Sequence, residues 1–268
     1  MTPEEKWKAI NDAFKVDMEP FKAKEPEEKY DPKQNYTGGL AGARLTECSL
    51  AVIGINWGGD PTAKDYWDDA PAQQCILPTC GEGFGKPVSN LLSTALHDDC
   101  VMEKLLLKIF YTNRFLFQSA GMSNPPPILE KDLETGASEK AVARMLSIVK
   151  PSVVICFGAY PRGFILSDLC KQQKSSWDNS CDDYWIFKST GRKENGFVYR
   201  FKNLPQAILP LDTQDPLRLC SALDLKRVWS FPHPVRSWPD GDFFANMCGE
   251  KKKTPILESL AEDLRACI

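Results

Sequence analysis

Two asparagines and a histidine follow apolar runs of the sequence, and their side chains carry donors and acceptors that bond cleavage needs. The Asn56 amide is not a strong base, but its carbonyl oxygen can hold a water molecule in line with a carbon atom. A neutral His233 imidazole can donate a hydrogen bond to an oxygen where negative charge develops. Asn113 offers one donor and one acceptor to the edge of a nucleobase. These residue types suit hydrolysis of a glycosidic carbon–nitrogen bond, in which the sugar becomes positive and the base leaves as an anion.

Two of these residues also have a purely structural interpretation. Asn113 is compatible with an asparagine that ends a strand in a turn. His233 lies between two prolines, and the backbone of a loop could satisfy its ring nitrogens. The other histidine, His97, lies in a helical stretch beside Asp98 and Asp99. The sequence leaves the structural interpretation of Asn113 and His233 open.

Four apolar runs that predict strands place these residues. Residues 50–55 (LAVIGI) and 151–158 (PSVVICFG) are continuous and carry glycine at their ends, which is typical of strands covered on both faces. A helical stretch over 138–150 precedes the second run, and this order predicts a crossover unit and a parallel sheet. Residues 108–117 and 226–231 supply two more candidate strands. We therefore expect an α/β fold with three layers, α/β/α, around a central, mostly parallel four-stranded sheet whose carboxyl ends gather the functional groups.

The length and composition predict one domain. A chain of 268 residues with 43% apolar content is sufficient for a single core, so we assign residues 1–268 to one domain. A helical extension over about 1–45 begins with a capping box at Thr2–Glu5. A polar stretch over about 170–203 predicts a β-hairpin-like insertion at the edge of the sheet. Residues 254–267 predict a closing amphipathic helix.

Composition also limits the classes of function. The first residues are charged and amphipathic, and no run approaches the roughly 20 apolar residues of a membrane span, so we expect a soluble, cytoplasmic protein with no membrane partner. The ten cysteines are scattered, and Cys75 and Cys80 have no CxxC partner, so we expect no metal and no cofactor. The net charge of −3 does not favour nucleic acid, although a local basic face is compatible with it. The basic residues that would form such a face, or a solvated charge run, are Arg192, Lys193, Arg200, Lys202, Arg227 and Arg236.

Three stretches resemble motifs of one enzyme superfamily. Residues 54–59 (GINWGG) resemble the first motif, GINPG or GMNPG, of the mismatch-specific and single-strand-selective uracil-DNA glycosylases. Residues 231–237 (FPHPVRS) resemble the second, HPSPLS-like motif, and residues 153–164 (VVICFGAYPRGF) resemble the strand and turn before it. The order and spacing agree over about residues 48–240. The resemblance implies a uracil-DNA glycosylase-like fold and a monofunctional DNA N-glycosylase that flips a deaminated or modified pyrimidine out of DNA and leaves an abasic site.

The same resemblance implies roles for individual residues and DNA as the partner, with no obligate protein partner. Asn56 corresponds to the asparagine that positions the attacking water, and His233 is the second catalytic residue. Phe84 resembles the aromatic that stacks on a flipped base. The implied base-binding residues are Gly54, Ile55, Trp57, Phe84 and Asn113. The implied DNA-binding residues are Gly58, Gly59, Arg236, Ser237 and Trp238. The backbone amides of the two glycines can approach a phosphate. Arg236 and Trp238 are candidates to fill the gap that the base leaves.

Three departures from the motifs bear on the substrate. Trp57 stands where proline is usual, Val235 stands where serine is usual, and the insertion over about 170–203 is not standard. A changed pocket wall and an added flap favour a base other than plain uracil. The sequence is therefore compatible with a bulky modified pyrimidine, such as those of phage DNA, and with a role in antiviral defence.

Three other functions fit parts of the sequence. The main alternative is a non-catalytic DNA-binding or modified-base sensor module on the same fold. A nucleotide-binding oxidoreductase could begin at residues 52–59, but the glycine spacing does not match GxGxxG and Pro61 obstructs the expected helix. A Cys–His hydrolase could use Cys156, but that thiol lies inside an apolar strand, where core packing is the simpler interpretation.

Overall fold

Strands and helices alternate along the described part of the molecule. The computed structural model describes residues 2, 5, 8, 41–42, 49–55, 85–115, 129, 132–133, 136–158, 181–185, 197–202, 227–231 and 250–268. The strands are β1 (Ala41–Gly42), β2 (Leu50–Gly54), β3 (Ile109–Asn113), β4 (Val153–Phe157), β5 (Cys181–Trp185), β6 (Phe197–Lys202) and β7 (Arg227–Phe231). The helices are α1 (Gly85–Leu96), α2 (Asp99–Leu106), α3 (Ala137–Val149) and α4 (Glu250–Arg265).

Four parallel strands form the centre of the sheet, in the order β3-β2-β4-β7. The residues of β2, β3 and β4 are all buried, which explains why β2 and β4 are continuous apolar runs rather than alternating ones. The last residues of the four strands lie in one row. Asn113 is the register partner of Gly54, Phe157 is the partner of Phe231, and β2 and β4 pair in the same register. The predicted α/β fold with a central parallel sheet is confirmed.

Antiparallel strands extend this sheet on both sides. β1 pairs with β3, and β6 and then β5 follow β7, so the described residues form a seven-stranded sheet in the order β1-β3-β2-β4-β7-β6-β5. The strands β5 and β6 lie within the stretch over about 170–203 and pair with each other. The four predicted strands are thus the parallel centre of a larger sheet. A two-residue strand such as β1 has too few residues for a detectable hydrophobic pattern.

Helices cover both faces of the sheet. Alternate residues of the central strands, such as Val52, Tyr111 and Ile155, join one buried cluster with α1, α2 and α4. The intervening residues, such as Phe110 and Val154, are also fully buried but do not belong to that cluster. Helix α3 lies outside the cluster and contacts β3. The sheet therefore lies between two helical layers.

Two helices have predicted ranges to compare with the structure, and one of them agrees closely. Helix α3 lies within one residue of the predicted range 138–150, between Gly136 and Lys150, which have φ angles of 64° and 54°. Helix α4 begins at Glu250, before the predicted start at residue 254, so Pro255 lies inside the helix rather than at its first turn. Proline lacks an N–H group, and one helical hydrogen bond is therefore missing there.

The predicted capping box at the N-terminus is confirmed. The Thr2 N–H donates to the Glu5 carboxylate at 2.8 Å, and the Glu5 N–H donates to the Thr2 hydroxyl at 3.2 Å. These reciprocal bonds satisfy two amides that the first turn of a helix leaves without backbone partners. None of the helices in the described residues has the length and the hydropathy that crossing a bilayer requires.

Candidate functional site

Three of the predicted base-binding residues meet at the carboxyl end of the parallel sheet. Gly54 and Asn113 are register partners at the ends of β2 and β3. Beyond the two strands, the Arg114 N–H donates to the Gly54 carbonyl at 2.9 Å, and the Phe115 N–H donates to the Ile55 carbonyl at 2.8 Å. The backbone pairing therefore continues past Asn113 and holds the segment with Gly54 and Ile55 directly beside it.

The Asn113 side chain has unusual surroundings for an amide. Asn113 is 1% exposed, and neither its Oδ1 nor its Nδ2 atom has a hydrogen-bond partner among the described residues. Buried polar groups in proteins are nearly always hydrogen-bonded, and one left unpaired costs about 1–3 kcal/mol. An unpaired donor and an unpaired acceptor thus lie side by side at the edge where ligands of α/β sheets bind.

The last residues of the neighbouring parallel strands surround this amide with a glycine and an aromatic ring. Side chains alternate along a strand, so Asn113 points to the same face as Tyr111, towards the cluster of α1, α2 and α4. On that face the row continues from Asn113 through Gly54 to Phe157, whose ring stacks on Phe231 with centroids 5.6 Å apart. No side chain projects from the sheet at Gly54. The amide and the Phe157 ring thus lie on strands about 10 Å apart, with a glycine between them.

Two helices run from this edge of the sheet towards the opposite one. The Ser49 hydroxyl, at the start of β2, donates to the Cys267 carbonyl just beyond α4. The Arg265 guanidinium reaches the Leu96 carbonyl at 3.4 Å, so α1 and α4 both end at the amino edge of the sheet. The 12 residues of α1 span about 18 Å, roughly the length of a five-residue strand. The first residue of α1, Gly85, therefore lies towards the edge that carries Asn113.

The other predicted site residues lie outside the described residues. They are Asn56, His233, Phe84, Trp57, Gly58, Gly59, Arg236, Ser237 and Trp238. In the sequence, Asn56 follows Gly54 by two residues, and His233 follows Phe231 by the same number. The strands β2 and β7 flank β4, so their ends are about 10 Å apart. The predicted convergence of Asn56 and His233 stays a prediction.

A buried ion pair beside Asn113 was not predicted. The Arg114 guanidinium donates to the Glu139 carboxylate of α3 at 2.5 Å, with side chains only 6% and 18% exposed. The guanidinium also lies over the Phe115 ring, 4.8 Å from its centroid. The sequence signal is a charged residue inside the apolar run KIFYTNRFLF. A charge in such a run is almost always paired, although its partner cannot be named from the sequence.

A second buried network includes one of the arginines considered for a basic face. The Arg200 guanidinium of β6 makes two bonds to Asp263 of α4, at 2.8 and 2.9 Å, and the Trp229 indole N–H donates to the same carboxylate at 2.8 Å. The Arg227 guanidinium lies 3.4 Å from that carboxylate, and its side chain is 30% exposed. Arg200 is 7% exposed. Arg200 therefore joins the sheet to α4 and is not available to a phosphate.

Two of the described cysteines, Cys156 and Cys267, are core residues, whereas Cys100 is exposed. Cys156 is fully buried in β4, as expected for core packing rather than for a nucleophile. Burial raises the pKa of the Cys267 thiol to about 11, which disfavours its thiolate. Within the described part of the chain, no three His, Cys, Asp or Glu side chains are grouped to hold a metal ion. Cys75 and Cys80 lie outside the described residues.

Comparison with known proteins adds no assignment to this geometry. No family model matches the chain, and no curated protein sequence matches it.

Proposed function

We propose that this chain is a monofunctional DNA N-glycosylase, which flips a deaminated or modified pyrimidine out of DNA and hydrolyses its glycosidic bond. The observation that carries the proposal is the buried amide of Asn113, whose donor and acceptor are both unpaired among the described residues. The Watson–Crick edge of a nucleobase presents adjacent donors and acceptors, so a flipped base is a ligand that satisfies both atoms together.

The surroundings of the amide support the same ligand. A flat ring needs a gap between side chains, and Gly54 leaves the sheet without a side chain directly beside Asn113. The neighbouring Phe157 and Phe231 rings make the face apolar, which suits a base removed from its stack. An amide at the end of a parallel strand is also a common position for a ligand-binding group.

The proposed reaction uses the two predicted catalytic residues. The Asn56 carbonyl holds a water molecule against the anomeric carbon, whose bond to the base nitrogen breaks with both electrons passing to the base. The His233 imidazole donates to the base oxygen on which this charge develops. The hydroxyl of the water adds to the sugar, and the departed base takes up a proton. Asn56 and His233 each follow a central strand by two residues, and those strands end about 10 Å apart, which supports a shared pocket.

The differences between this sequence and the glycosylase motifs determine which bases an excision assay should include. Oligonucleotides, single- and double-stranded, would carry uracil, hypoxanthine or modified cytosines, and alkaline cleavage would reveal abasic sites. The modified cytosines represent the bulky modified pyrimidines of phage DNA, which the protein would meet inside the cell. We expect at least one labelled strand that has been incubated with wild-type protein to be cleaved by alkali. Binding to a modified base with no abasic product would instead favour the non-catalytic sensor module.

The decisive variant is Asn113→Ala, with Thr112→Val as its matched control. Both residues are buried, and the Thr112 hydroxyl also lacks a partner among the described residues, but it points to the α3 face. We expect Asn113→Ala to slow excision roughly 10²- to 10³-fold, as for loss of one aligned donor. The control should retain the wild-type rate. Equal rates for Asn113→Ala and wild-type protein would overturn the assignment of this amide.

A further inference from the structure

The ion pair between Arg114 and Glu139 has no part in the proposed hydrolysis, yet it lies beside the site. Arg114 directly follows Asn113, and its guanidinium is 6% exposed. Removing a guanidinium from water is unfavourable, and many apolar pairs of similar shape would stabilise a fold at least as well. Its position therefore calls for an explanation other than stability.

The geometry of the pair constrains the end of β3. The Arg114 N–H bonds to Gly54 and the Phe115 N–H bonds to Ile55, which fix the backbone on the β2 side. The Arg114 side chain fixes the same segment to α3, because it bonds to Glu139 at 2.5 Å. Asn113 and Arg114 are consecutive, so their side chains point to opposite faces. A rotation of the strand about its axis that moved the amide would have to break the bond to Glu139.

The first turn of α3 is itself held in place. The buried Asp132 carboxylate accepts hydrogen bonds from the Ser138 N–H at 3.3 Å and from the Ser138 hydroxyl at 2.5 Å. The Gly136 N–H bonds to the Asp132 carbonyl at 2.7 Å. Glu139 follows Ser138 directly, so the carboxylate that receives Arg114 projects from a fixed helix end.

We infer that Arg114, held by Glu139, is a positioning residue that fixes the place of the Asn113 amide at the end of the strand and thereby the preference between bases. This inference rests on the proposed function. A donor and an acceptor distinguish bases only while they are held at hydrogen-bonding distance from the edge of the base. A misplacement of about 1 Å can cost a hundredfold in rate, so a loosened strand end reduces discrimination.

The test compares base preference with thermal stability in wild-type protein and four variants. The preference is the ratio of single-turnover excision rates on the best base of the panel and on its nearest competitor. Arg114→Met leaves Glu139 without its cation and should lower both the preference and the melting temperature. The double variant Arg114→Met/Glu139→Leu removes both charges, and should recover most of the melting temperature while the preference stays roughly tenfold or more below wild type.

Arg200→Met is the matched control, because Arg200 is also a buried arginine in a carboxylate pair and lies over an aromatic ring, 5.8 Å from Trp229. The melting temperature of Arg200→Met should fall, and its preference between bases should equal that of wild-type protein. A wild-type preference in the double variant would overturn the inference, and so would an equal loss of preference in Arg200→Met. Arg114→Lys, which keeps the charge, should fall between wild type and Arg114→Met.

The two proposals fail in different ways. If wild-type protein releases no base, the proposed function and this inference fail together. If Asn113→Ala impairs excision but the folded Arg114 variants discriminate like wild-type protein, only the positioning role is wrong.

Discussion

The substitution Asn113→Leu should stabilise the free protein while it abolishes excision. Leucine has the same number of side-chain heavy atoms as asparagine and the same branching at Cγ, and it replaces a donor and an acceptor that are buried without a partner among the described residues. Each such group costs about 1–3 kcal/mol when it is left unpaired. Even if only one of the two groups contributes fully, the free energy of unfolding should rise by about 1–3 kcal/mol.

This gain is large enough to measure by calorimetry and by urea unfolding. For a domain of this size, 1 kcal/mol shifts the melting temperature by about 2–4 °C, so we expect an increase of roughly 2–12 °C. The same protein should give no abasic product on any oligonucleotide of the panel. Thr112→Val removes one group that is unpaired among the described residues, so by the same reasoning its free energy of unfolding should rise by about 1–3 kcal/mol, with full excision activity.

The opposite result would refute the reasoning. A melting temperature lowered by several degrees in Asn113→Leu would mean that the amide is satisfied within the protein. It would then be a structural group and no longer available to a base. A gain in stability together with unchanged excision would separate the unpaired amide from the reaction.

Three further predictions concern other parts of the molecule. His233→Ala should slow excision about 10²- to 10³-fold without changing urea unfolding, and an unchanged rate would remove the imidazole from the reaction. Asp263→Asn leaves the buried Arg200 cation without its carboxylate. The free energy of unfolding measured in urea should fall by about 3–5 kcal/mol, and the excision rate of the folded protein should not change. A fall below about 1 kcal/mol would mean that the pair is replaceable. Burial raises the pKa of the Cys267 thiol from 9.0 to about 11, so its contribution to stability is complete below pH 9 and is lost as the pH rises from 9 to about 11. Between pH 9 and about 11, the free energy of unfolding of wild-type protein should therefore fall by roughly 2–3 kcal/mol more than that of Cys267→Ala. If the two proteins gave parallel plots of the free energy of unfolding against pH, the shifted pKa would be contradicted.

The central elements could be predicted from the sequence because their determinants are local. A strand buried on both faces must be apolar at every position, so β2 and β4 appear as short continuous runs. The helix over 137–149 has a 3.6-residue pattern that ends just before β4. The order of these elements already implies a parallel sheet and identifies the edge at which functional groups lie.

Tertiary structure alone decided what the polar residues do. Arg200 and Asp263 are 63 residues apart and meet only because β6 pairs with β7 and α4 packs over that pair. A residue that the sequence allowed on a basic face or in a solvated charge run is therefore buried instead. The partner of Arg114 depends on the same kind of distant packing. The sequence placed Asn113 within a candidate strand over 108–117, whereas β3 ends at Asn113. Burial of its amide without a partner among the described residues depends on how the sheet and helices enclose it. A hydrophobic pattern is local along the chain, whereas the pairing and desolvation of a polar atom are set by groups far away in sequence.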